Sequence, residues 1–119
     1  MKSLLSFARS ATAGCSVLGV SGEVDMSSAH LLDSALSAAA DEVGAAILIL
    51  DLGDVRFLSA AGVDVVLNAH CRSDESGPRL IVVAPDGGPV HRTLILAGLD
   101  AAIALHPTLA SALTAASGA

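Results

Sequence analysis

Tryptophan and tyrosine are absent from this 119-residue chain, and Phe7 and Phe57 are its only aromatic residues besides histidine. A core built from it must use Leu, Val, Ile and Ala, with close backbone approach in place of ring packing. Basic residues are also few: 6 Lys and Arg stand against 12 Asp and Glu, for a formal net charge of −6. No basic cluster offsets that excess locally. Phosphate backbones would be repelled, and there is no ring platform for single-strand stacking, so nucleic acid is excluded as a partner. The two cysteines, Cys15 and Cys71, lie far apart, and neither a CxxC nor an HxxxH spacing occurs. No zinc site is specified, and both thiols read as small buried or half-buried groups. No apolar run approaches the ~20 residues of a membrane helix. The amino-terminal stretch has Lys2 and apolar residues, but Ser3, Ser6, Arg9, Ser10 and Thr12 interrupt any signal-peptide core. The chain is expected to be cytoplasmic.

What the chain does have is core material. Hydrophobic residues make up 53% of it, with a mean hydropathy of +0.70. One domain over residues 1–119 is expected. Residues 3–9 and 14–22 read as two strands joined by Ala11–Gly14, hence an antiparallel edge hairpin. Asp25 or Ser27 can cap a helix whose apolar face is Ala29, Leu32, Leu36, Ala39 and Val43, closed by Gly44. Ala46–Leu50 reads as a strand covered on both faces, ended by Asp51 and a short polar turn. A helix over about 60–72 comes next, with Val63, Val66, Leu67 and His70 on one side, and then a polar turn over 72–78. Leu80–Ala84 is a third buried strand. Pro89 takes the first position of a helix with Val90, Leu94 and Ala97 inward and Gly98 as its stop. Ala101–Leu105 is a short last strand. Thr108 caps a final helix with Leu109, Ala112, Leu113 and Ala116 inward, ended by Gly118. The order β-β-α-β-α-β-α-β-α predicts one α/β domain, with a mainly parallel sheet, an antiparallel edge hairpin and about four helices.

Candidate chemistry is sparse. Neither GxGxxG nor GxxxxGK[ST] occurs, and Gly87-Gly88 reads as a turn. His30, His70, His91 and His106 follow no spacing rule. Asp25, Asp51, Asp54 and Asp64 fall near strand ends or helix starts, where the helix dipole alone favours acids. No catalytic constellation emerges, so no enzyme and no cofactor is expected. The helix start at 59–62 has one definite physical property. Its free amides and partial positive charge would stabilise a phosphate added nearby.

Two segments carry a family resemblance. Gly22-Glu23-Val24-Asp25 before a helix resembles the "G-E-hydrophobic-D" element of STAS domains, the anti-sigma factor antagonists. Leu48–Leu67 resembles their second element, a hydrophobic strand, D-L, three residues, then F-hydrophobic-D-S-S-G-hydrophobic. Gly98-Leu99 after an apolar helix is also similar, and the likeness covers nearly the whole chain. The resemblance implies a binding module that docks on a serine-kinase anti-sigma factor and is released when the first serine of D-S-S-G is phosphorylated. Placed by Phe57 and Gly62, the family's Asp falls on Ser59, its phosphorylated serine on Ala60 and its second serine on Ala61. The usual switch then lacks its hydroxyl. Ser59 reads as the helix cap, with a displaced phosphosite as the alternative. The implied partner-binding residues are Asp25, Ser27, Ser59, Ala60, Ala61, Gly62, Val63 and Asp64. The expected function is an anti-sigma factor antagonist without the usual phosphoacceptor; the alternative is a STAS subunit of a transporter or stressosome-like assembly. Cys15 and Cys71 are the other covalent handles, Cys71 lying near the end of the helix that starts at Ala60.

Overall fold

In the computed structural model, residues 5–12, 14–41, 46–75 and 77–117 are described. Strands β1 (Ser6–Thr12), β2 (Cys15–Val24), β3 (Ile47–Leu58), β4 (Arg79–Val83) and β5 (Ala104–His106) form one sheet in that spatial order. β1 is antiparallel to β2, and every other neighbouring pair is parallel. The helices are α1 (Ala29–Ala40), α2 (Ala60–Glu75), α3 (Pro89–Leu96) and α4 (Leu109–Ser117). The expected α/β class, the edge hairpin and the four helices are all present.

Strand alternation sorts the core into two layers. Leu18, Leu48, Leu50, Leu80 and Val82 face one side, against Leu32 and Leu36 of α1, Val66 and Ala69 of α2, and Val90 and Leu94 of α3. Val17, Ile49, Ile81 and Val83 face the other, against Ala112, Leu109 and Leu113 of α4. Neither phenylalanine belongs to this core: Phe7 is 37% exposed and Phe57 51%. The aliphatic interior expected from the composition is what the fold contains.

Several boundaries differ from expectation. The hairpin link is shorter, because Ala11 and Thr12 pair within β1. β3 does not end at Leu50. It continues through the presumed polar turn to Leu58, pairing with β2 up to Val24↔Leu58, with register shifts between Gly19 and Ser21 and between Gly22 and Glu23. Pairing with β4 stops at Asp51↔Val83. Past that point α3 packs beside β3, so Leu52 and Val55 share a cluster with Val90 and Leu94. α2 runs on to Glu75, into the expected polar turn. Its inward face is Val63, Val65, Val66 and Ala69; Leu67 is 38% exposed and His70 only half-buried. Ala97 is exposed, although Gly98 does end α3, with φ +80°. A 3-10 turn, Leu99–Ala101, takes the start of the expected last strand. Thr108 caps α4 as expected, its Oγ1 accepting from Ser111 N–H at 3.0 Å. Cys15 is buried but Cys71 is exposed, against the expectation of two covered thiols. The expected roles of Val43, Gly44 and Gly118 lie outside the described residues.

Candidate functional site

The parallel strands β2 and β3 end together, and one hydrogen bond joins the two segments that leave them. Ser59 N–H donates to the Val24 carbonyl at 2.8 Å. The turn that begins at Asp25 and the helix that begins at Ala60 are thereby held side by side, at the carboxyl ends of the strands. Ligands and partners are usually met there in α/β folds.

The first loop is organised by Asp25. Its Oδ1 accepts from Ser27 N–H at 3.0 Å, Ser27 Oγ at 2.8 Å, Ser28 N–H at 3.0 Å and Ser28 Oγ at 3.0 Å. In return Asp25 N–H donates to Ser28 Oγ at 3.0 Å. This is reciprocal capping, with serine where glutamate is usual. It closes a turn over 26–28, after which Ala29 N–H donates to the Asp25 carbonyl at 2.9 Å. Neither expected cap holds the cap position of α1, which is Ser28 with no side-chain cap bond; Asp25 closes the turn before it, and Ser27 is one of the groups it holds. The hydroxyls of Ser27 and then Ser28 lower the Asp25 carboxyl below its ordinary range; desolvation opposes them, and the amides of Ser28 and Ser27 add smaller lowering effects.

The second loop is capped by Ser59. Gly62 N–H donates to Ser59 Oγ at 3.3 Å, and Val63 N–H to the Ser59 carbonyl at 2.9 Å. The first turn of α2 holds no acidic side chain to offset the amide dipole. Gly62 is needed for closeness. A Cβ there would sit 2.5 Å from Leu58 Cδ1 and 3.0 Å from Val24 Cγ1. The helix start therefore lies directly on the ends of both strands.

The expected site residues divide by exposure. Ala60, Asp64 and Ser27 are exposed, Asp25, Ser59 and Ala61 are half-buried, and Gly62 and Val63 are covered. Val63 packs in the core beneath the surface that Ala60 and Asp64 present. Two apolar side chains flank this end of the molecule without having been counted among the expected site residues: Met26, 83% exposed, and Phe57, 51% exposed. Only their places beside Asp25 and Ser59 could have marked them in the sequence. Phe57 lies opposite Glu23 in the ladder, and Arg56 Nη2 reaches Glu23 Oε2 at 3.6 Å across the surface. Among the described residues no group of three or more His, Cys, Asp or Glu could hold a metal ion. Among them also, no helix is long and apolar enough to cross a membrane.

This five-stranded sheet, with its loops joined at the start of α2, defines a single α/β domain. The chain belongs to the STAS domain family, whose model matches residues 7–112. An anti-sigma factor antagonist from Mycobacterium paratuberculosis is 33% identical to it, with TM-score 0.83, over 94% of this chain and 93% of that one. Bacillus SpoIIAA, an anti-sigma factor antagonist, in its unphosphorylated form is 19% identical, with TM-score 0.75, over 96% and 98% of the two chains. The murine anion transporter Slc26a9 is 15% identical, with TM-score 0.78, over 91% of this chain and 18% of the transporter.

Proposed function

We propose that this chain is an anti-sigma factor antagonist. It binds an anti-sigma factor of the serine-kinase type through the start of α2 and the Asp25 turn, and it is not switched off at the family's usual serine. The single observation that carries this is exposed Ala60 on the first turn of α2, beside the Asp25 turn, at the position where the resemblance places the phosphorylated serine. The mycobacterial relative, an antagonist 33% identical over nearly its whole length, supports the partner class. A phosphorylated form is known for Bacillus SpoIIAA, which supports phosphorylation as the control that this chain lacks at Ala60.

The chemistry rests on the side chains. A methyl group cannot accept a phosphoryl group, so a kinase docked over Ala60 finds no nucleophile there. Ser59 is one residue back, and its Oγ is committed to the Gly62 amide. A phosphate there could still accept from the first-turn amides, but it would put charge and bulk one residue away from the family's position. Asp25, Ser27, Ser59, Ala60, Ala61 and Asp64 form or border the contact surface, Gly62 sets its closeness to the strands, and Val63 anchors it from below. The role is binding, with no bond made or broken.

The test is Ala60→Glu. Placing bulk and negative charge on the contact surface should weaken binding to a serine-kinase anti-sigma factor at least about tenfold, or roughly 1.4 kcal/mol, with the unfolding midpoint unchanged. Retained affinity would move the interface elsewhere. A second reading, a STAS subunit of a transporter or stressosome-like assembly, has the fold likeness to Slc26a9 in its favour. Neighbouring genes separate the two: a permease and ATPase for the second, a sigma factor or kinase for the first.

A further inference from the structure

The second core layer is the smaller one, and among the described residues α4 is the only helix in it. The last turn of α4 lies over the first residues of β2 and β3, Cys15 and Ile47, which pair in the parallel ladder. Between helix and sheet is a half-open cavity of about 380 Å³. Protein interiors hold few voids larger than a water molecule, whereas small-molecule sites are of this size.

The residue types explain the space. Cys15, Ile47, Leu113 and Ala116 line the cavity and belong to one apolar cluster. Cys15 is buried, while Ile47, Leu113 and Ala116 are left half-buried. Gly14 and Ala46 are exposed at the rim, and a Cβ placed on Gly14 would meet nothing within 4 Å. A thiol, two methyl groups and a bare glycine stand where a larger side chain would close the layer. Three features then define the chemistry. Among the described residues no Asp, Glu, Lys, Arg or His lines the cavity, so an ion would leave water without a counter-charge. α4 ends here, a helix carboxyl end carries partial negative charge, and the chain's net charge is −6; both oppose an anion. Ser117 lines the cavity too, its hydroxyl donating to the Thr114 carbonyl at 3.2 Å. That leaves its oxygen able to accept from a ligand.

We propose that this cavity binds a small uncharged molecule, apolar over most of its surface and carrying one N–H or O–H donor. The apolar body covers the half-buried faces of Ile47, Leu113 and Ala116, and the donor meets the Ser117 hydroxyl at the end of α4. The site lies at the amino ends of β2 and β3. The Asp25 turn and the start of α2 lie at their carboxyl ends, so this second site is separate from the docking surface and does not rest on it.

A matched pair of dyes tests this on the whole protein. N-phenyl-1-naphthylamine is neutral, has two aromatic groups and one N–H, and fluoresces strongly only in apolar surroundings. 1-Anilinonaphthalene-8-sulfonate has the same skeleton plus a sulfonate. The chain has no Trp or Tyr to interfere. The neutral dye should bind in the micromolar range, at least about tenfold tighter than the sulfonate, and should raise the unfolding midpoint. Ala116→Phe fills the cavity from the helix side and should abolish the signal. Ala116→Leu, a milder filling, should weaken it with an unfolding midpoint no lower than wild type, while Leu96→Ser, at an exposed apolar side chain elsewhere, should leave it unchanged. Protection of Cys15 locates the site without filling it. In a Cys71→Ala background Cys15 is the one thiol, and bound dye should slow its addition to N-ethylmaleimide severalfold. No binding of the neutral dye, equal affinity for both dyes, an undiminished signal in either folded Ala116 variant, or an unchanged rate at Cys15 would overturn the proposal.

Discussion

Gly62 and Asp25 each shape the site by a different means. Gly62 acts through what it lacks: with 2.5 Å to Leu58 Cδ1, a methyl group has no room unless Leu58 moves. Leu58 is 3% exposed and packed in the main core, so moving it strains the layer beneath. Gly62→Ala should destabilise the fold by about 1–3 kcal/mol, read from urea unfolding. Asp25 acts through four hydrogen bonds to one oxygen. Its carboxyl is lowered in the folded chain relative to the unfolded one. The stabilisation is therefore present above the unfolded value of about 3.9 and is lost as pH falls through the lower folded value. Asp25→Asn should lower the unfolding midpoint at neutral pH and leave a smaller difference from wild type in strong acid. An unchanged difference between neutral pH and strong acid would contradict the capping role. Asp25 was legible as a candidate because it offers a short side-chain oxygen just ahead of a helical pattern, with two serines close behind it. That both serines turn back onto one carboxylate oxygen was not, because the same letters fit several turns.

At the scale of elements, α2 depends on Ser59 at its start. Removing the hydroxyl by Ser59→Ala should cost about 1 kcal/mol, while Ser59→Asp should keep most of the stability, since a carboxylate also caps and meets the helix dipole favourably. Thermal unfolding of the two variants separates these outcomes. The start of α2 was readable from Ser59 and Gly62, whereas the strand before it was not. Gly53, Asp54 and Arg56 are turn-like letters, and Gly53 N–H does bond locally to Asp51 Oδ1 at 2.9 Å. Pairing with β2 overrides that local preference. Because the extra ladder includes two register shifts, no simple alternation marks it. The last strand was misplaced for a similar reason. Ala101 is as apolar as Ala104, and only Gly98 at φ +80°, with the tight turn after it, shows why the chain straightens late.

On the scale of the whole molecule, an interior without aromatics depends on many medium-sized contacts. Leu50 is fully buried at the centre of the sheet, between Leu18 and Val82. Leu50→Ala should cost about 2–5 kcal/mol by denaturant unfolding, a large part of the stability of a domain this size. The fold class was legible because helix spacing repeats along the chain and apolar runs, Ile47–Leu50 and Leu80–Val83, mark the centre of the sheet. The candidate site was legible only through the motif letters. Met26 and Phe57 beside it were missed, since an exposed apolar side chain and a core one look alike in sequence. Ala60 belongs to the same problem in reverse: under the proposed function its meaning comes from the hydroxyl it does not carry. The most direct test incubates the protein with a serine-kinase anti-sigma factor and Mg-ATP, following complex formation by calorimetry and the protein by intact mass. The expected result is a stable complex and an unchanged mass. Gain of one phosphate at Ser59 with loss of the complex, or no complex at all, would contradict an unswitched antagonist.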